Sequence, residues 1–270
     1  MNTTNSGVSN LSSFYSTNFY EAQADGSRRS AQVLVPLLLA RRQIASVVDV
    51  GCGVGTWLSA FSSMNISDIQ GYDGDYVDRS KLEIPESAFK AADLTQPLLA
   101  NRRFDLAVCL EVGEHLPSQS APTLVKSLVG LADVVLFSAA IPGQSGTNHV
   151  NEQWPEFWAK LFADHGYRAI DCIRPLIWHN PSVEWWYAQN IILYVSETAI
   201  KSHPRLAIGN FSDGGAPMRL IHPTLFEAAH KTLISIRDQY KTPGVLWSIR
   251  ALACSIGFAI KRRLPWTVQR

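Results

Sequence analysis

A chain of 270 residues, 46% of them hydrophobic, can close a sizeable core in one α/β domain with appendages. Its 24 Lys and Arg against 23 Asp and Glu leave a net charge of +1, so no global field draws it to nucleic acid, and small or neutral substrates are favoured. Cys52, Cys109, Cys172 and Cys254 are scattered with no CxxC pair, which suits a reducing, cytoplasmic setting. The polar start, MNTTNSGVSNLSS, lacks a basic n-region and an apolar h-region, and reads as a frayed tail rather than a secretory signal.

In chain order, residues 30–42 (SAQVLVPLLLARR) predict a helix capped by Ser30. Residues 46–50 (SVVDV) form a β-branched strand running into glycines. Further buried strands are expected at 69–73, 104–110 and 134–139. Between the last two, Ala121 to Leu131 carries the helical period, with Ser120 placed to cap it and Pro122 tolerated in its first turn. A helix over 153–165 stops at Gly166, and RAIDCI and NIILYV read as two closing strands. Strands alternating with helices predict an α/β fold with a largely parallel sheet.

The chemistry begins at VVDVGCGVGTW. Here Gly51, Gly53 and Gly55 let the backbone turn tightly at the mouth of a helix and approach a ligand with no Cβ in the way. A dinucleotide loop would need G-x-G-x-x-G, but the spacing is G-x-G-x-G with Thr56 in place of the last glycine. Asp49 adds a carboxylate that would repel a pyrophosphate, yet could order loop amides or meet an ammonium group. A zwitterionic, sulfonium-bearing ligand suits this loop better.

The run D-V-G-C-G-x-G-x-W resembles the first motif of the class I S-adenosylmethionine-dependent methyltransferases of bacterial small-molecule and glycan pathways. That resemblance implies a Rossmann-like fold: a seven-stranded, mostly parallel sheet with an antiparallel last strand and helices on both faces. It also implies S-adenosylmethionine as methyl donor, with S-adenosylhomocysteine as product. Asp73, with Gly74 beside it in GYDGD, stands where the family grips the ribose hydroxyls, and Asp93 with Leu94 where it meets the adenine. Asp75 and Asp78 are rivals in the same loops. Cys52, Trp57, Leu110, Glu111 and Val112 complete the implied cofactor contacts, and Tyr20 is a candidate to stack over them from an N-terminal lid.

FDLAVCLEVGEHLP resembles the family's fourth motif. Its Glu111, Glu114 and His115 would share one face if the segment turned helically. A similar set with a further His binds metal in small-RNA 3′-end methyltransferases, so Glu111, Glu114, His115 and His149 are the ligand set if a divalent metal is present. A metal is not the favoured reading. His115 or His149 as base toward a hydroxyl, with Glu114 holding the imidazole or a polyol, is preferred. The run IPGQSGTNHVNEQWPEFW also resembles family members; Gly143 and Gly146 suggest a mobile loop, and Trp154 and Trp158 read as core. SVEWWYAQNIILYV, with Trp185, Trp186 and Tyr187, is expected to be the closing strand and part of an acceptor pocket.

The expected organisation is a tail and lid over 1–29, the methyltransferase domain over 30–198, and a helical extension over 199–270. Within the extension, 225–240 is amphipathic, and the apolar run 245–260 precedes Lys261, Arg262 and Arg263. That run falls short of the roughly 20 apolar residues needed to span a bilayer, and Arg250 interrupts it. Residues 245–263 could lie on a membrane at its cytoplasmic face or dock on the domain or a partner chain, and a homodimer stays open. The function expected is O-methylation of a small-molecule or glycan-precursor acceptor. An RNA methyltransferase with a metal-bound E-x-x-E-H site and a non-catalytic cofactor-binding subunit are the alternatives.

Overall fold

The computed structural model describes residues 17–207, 217–241 and 244–263. Tyr15 and the expected frayed tail lie outside them, as does the Tyr20 side chain. A seven-stranded sheet organises the chain: β1 (Ser46–Val50), β2 (Asp68–Asp73), β3 (Phe89–Ala91), β4 (Leu106–Leu110), β5 (Val134–Ser138), β6 (Tyr167–Ile170) and β7 (Ile192–Ser196), in the order β3-β2-β1-β4-β5-β7-β6. The pairings from β3 through to β5 are parallel, and β7 runs antiparallel to both β5 and β6. This is the sheet implied by the resemblance to class I methyltransferases. Strand order reverses beside β1, and the crevice at the carboxyl ends there is where open α/β sheets bind ligands.

The strands are near-continuous apolar runs because both faces are covered. In β1, Val47 points into one core with Leu34, Val35 and Leu38 of α1 (Thr17–Leu39) and Leu58 and Phe61 of α2 (Thr56–Ser63). Its neighbours Val48 and Val50 point into the opposite core with Leu124, Val125 and Leu128 of α3 (Ala121–Leu131) and Trp158 and Phe162 of α4 (Pro155–Ala163). This two-residue alternation is the pleat expressed in packing.

Several local expectations are corrected. Ser30 does not cap a helix; it lies inside α1, where its hydroxyl donates to the Gly26 carbonyl at 2.8 Å and accepts the Glu184 amide at 2.9 Å. Ser120 has helical dihedrals and makes no side-chain cap bond, because the chain already turns over Ser118–Ser120. Residues Trp185–Asn190 form a short helix, α6, so only the second half of the aromatic strip becomes strand β7. Arg174, wholly buried at the start of α5 (Arg174–Ile177), pairs with Asp171 and donates to the Gln189 carbonyl at 3.0 Å. That buried pair holds the end of α6, and so Gln189 and Asn190, against the site described next.

Contacts divide the chain into two compact units, Met1–His222 and Pro223–Arg270. The second contains α8 (Pro223–Lys241) and α9 (Val245–Arg263), with α7 (Glu197–Ser202) belonging to the first. Among the described residues no helix is long and apolar enough to cross a membrane.

Candidate active site

A cavity of about 640 Å³ opens at the carboxyl ends of β3, β2, β1 and β4. Gly51, Asp73, Gly74, Asp93, Leu94, Glu111, Val112 and His115 line it together with Asp75, Tyr76, Ala91, Ala92 and Leu116. Asp49, Cys52, Gly53, Gly55, Trp57 and Leu110, expected at the same site, are not among its lining residues. Trp57 is a core residue, its ring edge-on to Tyr187 at 5.3 Å.

Gly51 has φ +86°, and a Cβ on it would stand 2.2 Å from a methyl of Val112, so no other residue fits the turn without displacing that wall. The turn is tied to β2 through Asp73. One of its carboxylate oxygens accepts the Gly53 amide at 2.7 Å; the other accepts the Gly74 amide at 2.6 Å and the Tyr76 hydroxyl at 2.5 Å. Although the ring is exposed, partial loss of water around its hydroxyl, and then the Asp73 hydrogen bond and charge, push the Tyr76 phenol up. Asp49 is buried nearby; burial first, and the Asp73 charge second, hold its carboxyl well above the usual range. A cationic group entering this loop would relieve both effects. Asp93 is exposed, with one oxygen accepting the Thr95 amide at 2.9 Å and hydroxyl at 2.7 Å.

At the end of β4 the expected helical turn does not include Glu111. Glu111 has φ +55°, a left-handed conformation strained for a residue with a side chain, and Gly113–His115 is a single tight turn. The one-face arrangement of Glu111, Glu114 and His115 is therefore corrected. The Glu111 carboxylate turns inward and accepts from Asn190 Nδ2 at 3.1 Å and Gln144 Nε2 at 3.2 Å. Glu114 is fully buried, and neither of its oxygens accepts a hydrogen bond from a conventional donor. Two ionised carboxylates are acceptors only, so the contact between Glu111 and Glu114 becomes a hydrogen bond when one holds a proton. Burial, and then the charge of Glu111, push Glu114 up to about 10, so Glu114 carries it.

The sign for stability follows. Above the ordinary value of 4.5 and below about 10, the folded chain keeps a proton that the unfolded chain releases, so this contribution to stability declines as pH rises through that window. Glu114→Gln retains a neutral hydrogen-bonding side chain. Its melting temperature should fall less between about pH 6 and about pH 9 than that of the parent, as read by calorimetry. Parallel curves would mean that Glu114 is ionised.

His149 arrives on the loop after β5. That loop is pinned by Glu152, whose carboxylate accepts the Gly143 amide at 2.7 Å, the Ser145 amide at 2.8 Å and His149 Nδ1 at 3.0 Å. The Val150 and Asn151 amides bond the Glu114 carbonyl at 2.8 and 3.1 Å. These bonds tie down the loop expected to be mobile at Gly143 and Gly146, and Gly146 also gives space, since a Cβ there would meet the His149 ring at 2.2 Å. Because Glu152 can only accept, Nδ1 of His149 is the donor of this bond, which fixes the direction of the ring. The two histidine rings meet edge-on at 5.0 Å. His115 bonds the Asn148 backbone, and burial first, then the neighbouring His149, hold its pKa below the ordinary 6.5. Donor atoms of Glu114, His115 and His149 lie within 4.8 Å of one another, whereas Glu111 stands outside that group.

Sequence reasoning missed Tyr76, Glu152, Gln144 and Asn190. Gln144, Glu152 and Asn190 lie in runs singled out in the sequence, where only the two glutamines and one asparagine of QSG and AQN hint at buried amides.

Residues 20–165 match a family model described as a methyltransferase domain. Solved structures with a similar fold include magnesium protoporphyrin IX methyltransferase (ChlM) from Synechocystis PCC 6803 with bound SAH, 21% identical over 68% of this chain and 90% of that one, TM-score 0.48. Another is DesVI of Streptomyces venezuelae, 15% identical over 66% and 95%, TM-score 0.49. A third is SAM-bound CalS10, an amino pentose methyltransferase of Micromonospora echinaspora, 15% identical over 69% and 98%, TM-score 0.47. No curated protein matches the chain significantly.

Proposed function

This chain belongs to the methyltransferase-domain family, and we propose that it moves the methyl group of S-adenosylmethionine onto a hydroxyl of a small-molecule or glycan-precursor acceptor. The observation that carries this reading is a single cavity spanning the tips of four strands, with Asp73, Asp93 and Leu94 beyond one side of the glycine turn and Glu111 and His115 beyond the other. Asp73 would hold the ribose, Asp93 and Leu94 the adenine, and the Gly51 turn with Asp49 the amino-acid end. When bound, the cofactor supplies an electrophilic methyl carbon.

The protein's own residues then need to align the acceptor, keep water out and receive one proton. Alignment alone supplies about 7–11 kcal/mol in favourable cases, so a modest base suffices. His115 faces the cavity and is neutral near pH 7, with one ring nitrogen committed to the Asn148 backbone and the other available to the acceptor hydroxyl. Since the unprotonated ring is the active form, kcat/KM should fall as pH drops, with an inflection below 6.5. An acid limb centred above that value would remove His115 as base.

Isothermal titration with S-adenosylmethionine and S-adenosylhomocysteine, followed by methyl transfer to glycans, phenols and RNA, tests the proposal. Absence of cofactor binding ends it, and transfer to RNA alone would replace the acceptor class. A second reading is favoured by the cluster of Glu114, His115 and His149, whose donor atoms lie within 4.8 Å of one another. These three side chains would hold a divalent cation in place of the Glu114 proton and so orient an acceptor oxygen. Stoichiometric metal in the purified protein, and loss of activity with a chelator, would favour it over the base.

A further inference from the structure

Residues 223–270 contain eight Lys and Arg against two Asp and Glu, a net charge of +6, which leaves −5 on residues 1–222. The near-neutral chain is thus strongly polarised, and its positive unit also presents apolar surface. On α9, Val245, Ile249, Leu252 and Ile256 recur at i, i+4, i+7 and i+11 and share one side of the helix. All four are exposed, by 76, 60, 63 and 51%. Trp247 falls on the opposite side by the helical period and packs edge-on against Tyr240 of α8 at 5.1 Å, so the stripe is the side of α9 turned away from that contact. Arg250 interrupts the apolar run on the far side from the stripe, and the helix ends in Lys261, Arg262 and Arg263.

We propose that α9 lies on an anionic lipid surface, with Val245, Ile249, Leu252 and Ile256 entering the acyl boundary and the basic residues meeting the head groups. An exposed apolar stripe on a helix that ends in three basic residues and is unable to span a bilayer suits an interfacial helix. A symmetric pairing with the same unit of a second copy of this chain would bring one +6 charge against another, which electrostatics opposes. Negative head groups complement that charge. The inference does not rest on methyl transfer.

The test is sedimentation of the full chain with vesicles of phosphatidylcholine alone and of phosphatidylcholine mixed with phosphatidylglycerol, at low and high salt. Partition into the mixed vesicles should be at least about tenfold stronger, and should weaken with salt. Ile249→Asp with Leu252→Asp, and separately Lys261→Glu with Arg262→Glu and Arg263→Glu, should each lower it about tenfold or more while cofactor titration is unchanged. The milder Leu252→Ser guards against loss of helix in the first variant, with circular dichroism as the check. Equal partition into both vesicle types, or variants that partition like the parent, would overturn the proposal. So would a dimer in light scattering that Ile249→Asp dissolves in a protein that ignores vesicles.

Discussion

Asp73→Ala should weaken S-adenosylmethionine binding by about a hundredfold or more in isothermal titration. Hydrogen bonds to a charged group contribute about 1.5–3 kcal/mol each, and every 1.4 kcal/mol is a factor of ten. The side chain is placed to act twice: it would meet the ribose, and it holds the Gly53 and Gly74 amides at 2.7 and 2.6 Å. Asp73→Asn keeps an acceptor but cannot serve both amides and a sugar with two charged oxygens, so its loss should be intermediate. An Asp73→Ala variant binding within about twofold of the parent would remove the ribose assignment, because even the loop's own bonds would then be dispensable.

His115→Ala should lower kcat by about 10²–10⁴ with cofactor affinity nearly unchanged, the range a positioned general base contributes. Its neighbour should behave differently. His149 is oriented by Glu152 and meets His115 ring to ring, so Glu152→Gln should reduce kcat through misorientation and shift the acid limb of the pH profile, leaving KM for the cofactor near the parent value. A His115→Ala variant that retains the parent kcat while losing affinity would assign this ring to binding instead.

Much of the scaffold was legible because its determinants are local. The β-branched run before Gly51, the apolar run before Glu111 and the periodic Ala121–Leu131 helix each announce themselves in a few residues. The glycine turn, Asp73 and the cavity face of β4 could be placed together for the same reason. Harder cases were decided by partners distant in sequence. Strand β3 is three residues long and exists because Phe89 and its neighbours pair with Gly71 to Asp73. Trp185–Asn190 has strand-like composition, yet its far end is held by Arg174 and the wide aromatic rings find room around a helical turn. Glu111 leaves the helical region because its carboxylate is drawn to Asn190 and Gln144, 79 and 33 residues away. Nothing in E-x-x-E-H signals that pull.

The anchoring of the β5 loop on Glu152 reaches further than the aim of one ring. The same carboxylate sets the loop's path and the direction of the His149 ring, so backbone shape and side-chain placement form one mechanical part. Any change that lets the loop swing, including insertions between Gly143 and Asn148, would displace the His149 ring without touching that residue.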